Sequence, residues 1–335
     1  MTFAESGTIT TSAGYPAAAV IDNTNSFAYF GNFVSPGRAT KINLATFTES
    51  GTIATSTANL VWGAIDNNSA YAYFAHQTTP GKITKIDLST FTESGTLATS
   101  AALPYCLLID PASSFAYAGH YIATGRITKI NLSTFSETAT LTTSNYPMSG
   151  VIDHAGSFAY FGYYNVASGI NGIIVKINLA TFTQAGTILM PGTIKPIFMA
   201  IDSTDSYLYV CHYTSPGKIY KLDLSTSSAT GTITTQAAYP NCIIIDNNDA
   251  NAYVGHDTSP GKITKIDLST FTQTSTLTPA TTNFYVIIKD SIDAYAYFGS
   301  YTATGKITKV DIGATIAPTV VAVRGFMTTN TKYWG

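Results

Sequence analysis

A short sequence phrase recurs seven times along the chain, and in each copy a lysine stands two residues before an asparagine or aspartate. By difference of residue numbers, successive lysines are 44, 44, 47, 45, 44 and 44 residues apart. A period of this length with strand-like content is typical of a β-propeller, in which each repeat forms one four-stranded blade. The repeats therefore predict one all-β domain of seven antiparallel blades. The lysines are Lys41, Lys85, Lys129, Lys176, Lys221, Lys265 and Lys309.

Each repeat is predicted to contain four strands in a fixed order. A short apolar run that precedes an aspartate, such as 243–245 before Asp246, predicts the innermost strand, buried on both faces. Aromatic residues at alternate positions, as in 27–30, predict the second strand. A turn such as Pro36 and Gly37 leads to the third strand, which carries the lysine. A Gly-Thr-Ile or Gly-Thr-Leu segment forms the fourth strand.

The two ends of the repeat region predict how the ring closes. A copy of the fourth-strand segment, Gly7 to Ile9, stands near the N-terminus, whereas the last repeat reaches only its third strand at 306–312. The N-terminal strand is therefore expected to complete the seventh blade and to remove an exposed sheet edge. These boundaries place the propeller at 1–312 and a C-terminal tail, extended or strand-like, at 313–335.

The repeat resembles a known type. Residues 252–256 (Ala-Tyr-Val-Gly-His), followed by 261–267, are similar to the YVTN-type β-propeller repeat family, whose core reads Tyr-Val-Thr-Asn and then Val-Ser-Val-Ile-Asp. The resemblance covers about residues 1 to 312, but the family's asparagine is histidine in four blades and its Asp-Gly turn is replaced by Asn- and Ser-rich turns. It implies a propeller fold. It implies no common activity, because the family includes surface-layer proteins, binding proteins and occasional enzymes.

Composition and charge narrow the class of function. Charged residues make up 11% of the chain, against roughly 25% in ordinary soluble domains, and Thr, Ser, Ala and Asn take their place. Such a neutral, hydroxyl-rich composition favours an extracellular, cell-surface or virion location. The net charge of −2 and the dispersed lysines predict no nucleic-acid partner. No apolar run approaches the roughly 18 residues of a membrane span, and no signal peptide is visible at the N-terminus.

Four histidines occupy one repeat position, at the end of the second strand, where the other blades carry Asn32, Tyr163 and Ser300. Equivalent atoms on different blades are too far apart to share one metal ion, whose ligands lie at about 2.1 Å, so no metal site is expected. We favour a role in which the side chain caps a turn through a hydrogen bond. Ligand contact is the alternative. The histidines are His76, His120, His212 and His256.

The repeated aspartates and lysines, for instance Asp66 and Lys85, are expected to be structural, because seven copies of a residue cannot all be one catalytic group. The aspartates should bond turn amides, and the lysines should lie along the blade faces. Lys289 is the one ionisable residue in the predicted inner strands. A lone lysine without an acid or base partner is poorly suited to catalysis, so neither an enzyme nor a cofactor is expected.

The fourth repeat is longer than the others. Asp153 and Leu179 are 26 positions apart, where Asp66 and Leu88 are 22 apart, so the blade carries four extra residues. Inserted loops often lie on the binding face, and tyrosine and asparagine suit a sugar or a protein surface. A neutral variation in length is the alternative. The candidate contact residues are Tyr163, Tyr164, Asn165 and Asn171.

The tail after Ile312 contains a β-branched run, 319–323, that a closed ring does not need. An apolar strand left over after closure must be covered, either by its own propeller or by another subunit. In the second case the tail would join copies of the chain. The candidate assembly residues are Val320, Val321, Val323, Phe326, Tyr333 and Trp334.

Together these patterns favour a non-catalytic structural or binding module at an external surface, which assembles with itself or with other proteins. The alternative is a glycan-binding, lectin-like propeller, which should show repeated aromatic pockets with a polar partner. An enzyme of the lactonase or lyase kind is less favoured, because the sequence offers no evident cluster of carboxylates or histidines in the channel.

Overall fold

The computed structural model describes residues 3–143, 146–164, 172–192 and 195–313, together with the backbone of two short strands at 321–323 and 326–328. Across these ranges the chain consists of β-strands joined by turns. The strands form seven four-stranded antiparallel sheets and one two-stranded sheet, so the predicted seven-bladed propeller is confirmed. Within the described part of the chain, no helix could cross a membrane.

Six blades are built from consecutive strands, with the innermost strand first. Blade 1 contains β2 (Pro16–Ile21), β3 (Phe27–Asn32), β4 (Arg38–Asn43) and β5 (Thr48–Ala54). Blade 2 contains β6 (Leu60–Ile65), β7 (Tyr71–His76), β8 (Lys82–Asp87) and β9 (Thr92–Ala98). Blade 3 contains β10 (Pro104–Ile109), β11 (Phe115–His120), β12 (Arg126–Asn131) and β13 (Ser136–Thr142).

The remaining blades follow the same order until the last. Blade 4 contains β14 (Pro147–Ile152), β15 (Phe158–Tyr163), β16 (Ile173–Asn178) and β17 (Thr183–Leu189). Blade 5 contains β18 (Pro196–Ile201), β19 (Tyr207–His212), β20 (Lys218–Asp223) and β21 (Ser228–Thr234). Blade 6 contains β22 (Pro240–Ile245), β23 (Asn251–His256), β24 (Lys262–Asp267) and β25 (Thr272–Leu277). Blade 7 contains β26 (Phe284–Lys289), β27 (Tyr295–Ser300), β28 (Lys306–Asp311) and, outermost, β1 (Ala4–Thr10).

The ring is closed by the N-terminal strand. β1 pairs antiparallel with β28, with Thr8 opposite Thr308 and Ile9 opposite Ile307. Each innermost strand lies beside the innermost strand of the next blade, and β26 lies beside β2. The predicted closure is therefore confirmed, and the first and last repeats are held in one sheet.

Burial explains the residue pattern of the blades. The innermost strand β2 is buried at every position, because it packs between two neighbouring blades, whereas the outermost strand β9 alternates between exposed and half-buried residues. The blades also approach each other closely at Gly31, where a Cβ atom would lie 2.8 Å from Cδ1 of Phe74 in the next blade. Glycine at this position leaves room for the neighbouring ring.

The repeated aspartates hold the turn between the first and second strands. The carboxylate of Asp22 accepts hydrogen bonds from the backbone N–H groups of Ser26 and Phe27, at 2.8 and 3.0 Å. The predicted turn-bonding role is confirmed, because the same pair of backbone donors recurs in every blade. The other aspartates are Asp66, Asp110, Asp153, Asp202, Asp246 and Asp290.

The repeated lysines lie along the blade faces, as predicted. Nζ of Lys41 lies 3.9 Å from the ring centroid of Phe27 in its own blade and 5.6 Å from that of Phe91 in the next blade. An ammonium over an aromatic face is attracted by the ring quadrupole. The phrase that defines the repeat therefore contributes to packing between blades.

The tail hairpin lies against its own ring. β29 (Val321–Val323) pairs with β30 (Phe326–Thr328), and Val323 lies opposite Phe326. The backbone of β29 lies near β22, β26 and β2, and that of β30 near β6, β10 and β14. These are innermost strands from both sides of the ring, so the hairpin lies between them. Three of the predicted assembly residues are in this hairpin; Val320, Tyr333 and Trp334 lie outside the described residues.

Lys289 is not a lone lysine, and that expectation was wrong. Its side chain is fully buried and forms an ion pair with Asp293, four residues later and equally buried. Nζ of Lys289 also donates to Oδ1 of Asn247 in blade 6, at 2.6 Å, and Asp293 Oδ2 accepts from the Asn247 backbone N–H at 2.6 Å. Burial lowers the pKa of Lys289, while the Asp293 carboxylate opposes that change. The cluster therefore links blades 6 and 7.

Replacing Lys289 by alanine is predicted to lower the free energy of unfolding by about 3 to 5 kcal/mol, because Asp293 is left buried without its counter-charge. The double variant Lys289→Met with Asp293→Asn should recover part of that loss, since it removes both charges. The half-buried Lys218, changed to alanine, is the control and should shift stability by about 0.5 kcal/mol or less. Urea unfolding measures all three. Equal effects of Lys289→Ala and Lys218→Ala would contradict the inter-blade role.

Candidate functional site

Three of the repeated histidines are interior hydrogen-bonding groups. His76 is fully buried, with Nδ1 at 2.8 Å from the carbonyl oxygen of Ala58 and Nε2 at 2.8 Å from Oγ1 of Thr84. Because the carbonyl can only accept, Nδ1 carries the proton and Nε2 of the neutral ring accepts from threonine. The ring joins the loop that leads into its blade to the third strand. His120 and His256 make the same two contacts.

The other blades fill this position differently. Asn32 reproduces the histidine contacts: Nδ2 donates to the Gly14 carbonyl at 3.0 Å, and Oδ1 accepts from Thr40 at 3.0 Å. His212 instead accepts a hydrogen bond at Nδ1 from the Lys195 backbone, at 3.0 Å. Ser300 is buried and its Oγ has no hydrogen-bond partner among the described residues, so the capping prediction was wrong there.

The blade 4 candidates divide into three groups. Tyr163 is buried inside the blade, where its hydroxyl donates to Oγ1 of Thr143 at 2.7 Å, so it is a core residue and no loop contact. Tyr164 is half-buried and lines a cavity at one mouth of the channel. Asn165 and Asn171 lie outside the described residues.

That cavity is a concave site at which side chains from several blades converge. It has a volume of about 310 Å³ and lies at the end of the channel where the innermost strands begin. We call it the tyrosine cavity. Its lining residues are Tyr105, Tyr121, Met148, Tyr164, Lys195, Ile197, Tyr213, Asn241, Asp257 and Tyr285.

Most of the lining comes from two positions of the repeat. One is the second residue of an innermost strand, as at Tyr105, Asn241 and Tyr285, and the other is the residue after a second strand, as at Tyr121 and Asp257. The chain directs both positions to the channel mouth in every blade. Unlike the structural aspartate and lysine, these positions carry different residues from blade to blade. This variation was the signal by which the sequence could have revealed them.

Side chains from distant blades meet across the channel. The hydroxyl groups of Tyr105 in blade 3 and Tyr285 in blade 7 are 2.7 Å apart. The rings of Trp62 in blade 2 and Phe198 in blade 5 stack with centroids 5.6 Å apart. Both contacts join blades that are not neighbours in the ring, and the first of them lies in the lining of the tyrosine cavity.

Aromatic contacts also order the wall. The ring centroid of Tyr121 lies 5.6 Å from that of Tyr105, 4.9 Å from that of Tyr146 and 6.4 Å from that of Tyr164. Nζ of Lys195 lies 5.1 Å from the Tyr164 ring centroid. Rings at these separations stabilise one another by about 0.5 to 1.5 kcal/mol per pair. The wall of the cavity is therefore preorganised.

The polar groups of the tyrosine cavity have defined partners. The hydroxyl of Tyr213 donates to Oδ2 of Asp257 at 2.6 Å, and Nδ2 of Asn241 donates to the Phe284 carbonyl at 3.2 Å. Burial, followed by the hydrogen bond and charge of Asp257, raises the pKa of Tyr213. Tyr213 therefore stays a neutral donor at neutral pH, while Oδ1 of Asn241 remains an acceptor. The cavity can bind a polar ligand through these fixed groups.

Two further grooves lie between adjacent blades. One, of about 580 Å³, contains Lys41 and Tyr71 of blades 1 and 2. The other, of about 430 Å³, contains the equivalent Lys176 and Tyr207 of blades 4 and 5. Among the described residues, no group of three or more His, Cys, Asp or Glu side chains is placed to hold a metal ion.

Comparison with known proteins supports the fold alone. No family model and no curated protein matches the chain. A solved structure of hydrazine synthase from Kuenenia stuttgartiensis is similar, with a TM-score of 0.81 at 13% sequence identity. The similarity covers 92% of this chain and 98% of that chain. The class defined by fold and site is thus a seven-bladed β-propeller with a tyrosine-lined cavity at its channel mouth, and the YVTN-type resemblance stays a prediction.

The buried histidines predict a dependence of stability on pH. Burial lowers the pKa of His76, His120 and His256 from 6.5 to about 4. Between these values the unfolded chain binds protons that the folded chain does not, so the histidine contribution to stability falls as pH falls from about 6.5 to about 4. The triple variant with asparagine at all three positions should lose less stability over that interval.

The reverse variant provides the control. Asn32→His places a histidine beside the Gly14 carbonyl and Thr40, which correspond to the two partners of His76, and should steepen the loss. Urea unfolding at about pH 7 and about pH 4.5 measures both variants beside the unaltered chain. The same loss of stability in all three proteins would show that the buried histidines do not cause the dependence on pH.

Proposed function

We propose that the chain is a non-catalytic binding module at an external surface, and that it binds a small polar ligand in the tyrosine cavity. The observation that carries this proposal is the cavity itself, in which side chains from five blades converge at the channel mouth. Its volume is at the lower end of the range of about 300 to 1,000 Å³ found for small-molecule sites. Converging polar groups on an aromatic wall are typical of such sites.

The variation between blades supports a binding role for the tyrosine cavity. A residue that recurs in every blade serves the scaffold, whereas no other blade has a carboxylate at the position of Asp257 or an amide at the position of Asn241. Because both residues belong to blade 6, the polar groups lie on one side of the cavity and favour one orientation of a bound ligand.

The non-catalytic part of the proposal has separate support. The ionisable cavity residues other than tyrosine are Asp257 and Lys195, and the Asp257 carboxylate already accepts a hydrogen bond from Tyr213. General acid–base catalysis needs a group whose pKa is near the working pH and which reaches the reacting proton. The described cavity residues suit hydrogen bonding to a ligand better than proton transfer between an acid and a base. The external location rests on the neutral, hydroxyl-rich composition.

A structural role, in which the tail joins copies of the chain, receives less support. The hairpin backbone lies between the innermost strands of its own ring. The glycan-binding alternative is a narrower form of the binding proposal, because it names the ligand.

The test is a thermal-shift screen of the full chain against sugars, amino acids, nucleosides and quaternary amines. A ligand that binds only the folded state raises the melting temperature. We expect at least one class to do so, and Tyr164→Ala to weaken binding about tenfold, which corresponds to about 1.4 kcal/mol. Phe33→Ala is the matched control, since Phe33 occupies the same repeat position outside the cavity. Binding by no class, or equal loss in both variants, would contradict the proposal.

A further inference from the structure

The chemistry of the tyrosine cavity indicates which class of ligand it accepts. This inference rests on the proposed function, because it concerns the same cavity. The wall combines ring faces and the apolar side chains of Met148 and Ile197 with hydroxyl, amide, carboxylate and ammonium groups. Three classes of small ligand can be compared with this wall.

A purely apolar ligand fits poorly. It would remove water from the Tyr213 and Asp257 pair and from Oδ1 of Asn241 without replacing the hydrogen bonds that water makes. A buried polar group left without a partner costs about 1 to 3 kcal/mol. The binding free energy that an apolar ligand gains on the rings is therefore largely offset by the cost of burying the polar groups.

A cationic ligand fits poorly as well. Aromatic rings beside a carboxylate would otherwise suit a quaternary ammonium group. However, the wall already contains a cation, because Nζ of Lys195 lies 5.1 Å from the Tyr164 ring centroid. The charge of Lys195 offsets that of Asp257 in the cavity and repels a second cation. The same near-neutral balance gives no net attraction for a phosphate or another anion.

A neutral polyhydroxyl ring satisfies both parts of the wall. Each hydroxyl group donates and accepts, so adjacent hydroxyls can donate to Asp257 and Asn241 while accepting from Lys195. A carboxylate has about four acceptor positions, so the bond from Tyr213 leaves Asp257 able to accept more. The C–H face of such a ring packs on the tyrosine side chains, which combine an apolar face with a polar tip.

We propose that the tyrosine cavity binds an uncharged pyranose sugar, with Asp257 and Asn241 accepting hydrogen bonds from its hydroxyl groups and the tyrosine rings packing on its C–H face. The bond from Tyr213 fixes the position of the Asp257 carboxylate, so Tyr213 is a positioning residue. The sugar is the end unit of a larger glycan or a free monosaccharide, and the cavity chemistry is shared by both.

The experiment measures binding of the full chain to a panel of uncharged monosaccharides and to a glycan array, beside tetramethylammonium and inorganic phosphate as charged probes. We expect binding to a subset of the sugars, with affinity that changes less than about twofold between low and high salt, because a neutral ligand has no charge to screen. Asp257→Asn should weaken that binding at least about tenfold, since the amide presents one acceptor oxygen in place of two.

Asp87→Asn is the matched control. Asp87 lines the groove between blades 1 and 2, which is one of the two inter-blade grooves where a sugar could stack on aromatic rings beside a polar group. Sugar binding that is lost with Asp87→Asn and kept with Asp257→Asn would overturn the assignment to the tyrosine cavity. Melting curves of both variants, compared with the unaltered chain, separate loss of binding from loss of folding.

Other outcomes separate sugar binding from the broader proposal that the tyrosine cavity binds a small polar ligand. Binding of tetramethylammonium or phosphate in the cavity, without any sugar, would overturn the sugar assignment and leave the binding module standing. Binding of none of the classes in either screen would overturn both. A glycan-array signal without monosaccharide binding, still sensitive to Asp257→Asn, would support the sugar class with a larger ligand.

Discussion

The structure depends on the pairing of β1 with β28. That pairing joins the N-terminal strand to the last repeat and completes the seventh blade. Blade 7 also contributes Tyr285, whose hydroxyl meets that of Tyr105 at 2.7 Å across the channel. An open ring could not hold those two hydroxyls together, because their residues are 180 positions apart in the chain and belong to blades that do not touch through their sheets. The tyrosine cavity is thus a consequence of closure.

Closure in turn relies on residues that repeat. The aspartate that holds each first turn, the lysine over its aromatic rings and the buried histidine with its threonine all stabilise contacts within or between adjacent blades. Since each blade contacts mainly its neighbours, stability is approximately a sum of blade and interface contributions. A ring built in this way tolerates variation at the channel mouth, where the two variable positions of the repeat lie. Scaffold and site are therefore separated by position within the repeat.

Much of the fold could be predicted from the sequence, because period, alternation and turn residues are local signals. Seven blades, the N-terminal closing strand and the role of the aspartates all followed from them. Tyr163 was counted among the contact residues because it stands beside the insertion, although it also occupies the repeat position of the histidines, which is buried. Lys289 was judged unpaired because its partner is four residues later, across a turn, and its second contact comes from blade 6.

The tyrosine cavity could not be predicted by the same reasoning. Its residues are spread from Tyr105 to Tyr285, and no two of the converging tyrosines form a local motif. Only the ring geometry brings together the second residue of each inner strand and the residue after each second strand. Comparing the seven copies with one another, position by position, would have marked both places as variable. The proposed class of ligand depends in addition on the contacts between these side chains, which the sequence does not give.

Native-state hydrogen exchange of β1 shows whether the N-terminal strand holds the ring closed. If β1 closes the ring, its Ile9 amide, which lies opposite Ile307 of β28, should exchange only through global unfolding, with the same opening free energy as the hydrogen-bonded amides of the buried inner strand β2. The outermost strand β9 of blade 2 provides the comparison, because it has the same place in its sheet without joining the chain ends. Fast exchange of β1 at a low opening free energy, while β2 stays protected, would show that the ring persists without its N-terminal strand and would contradict the account.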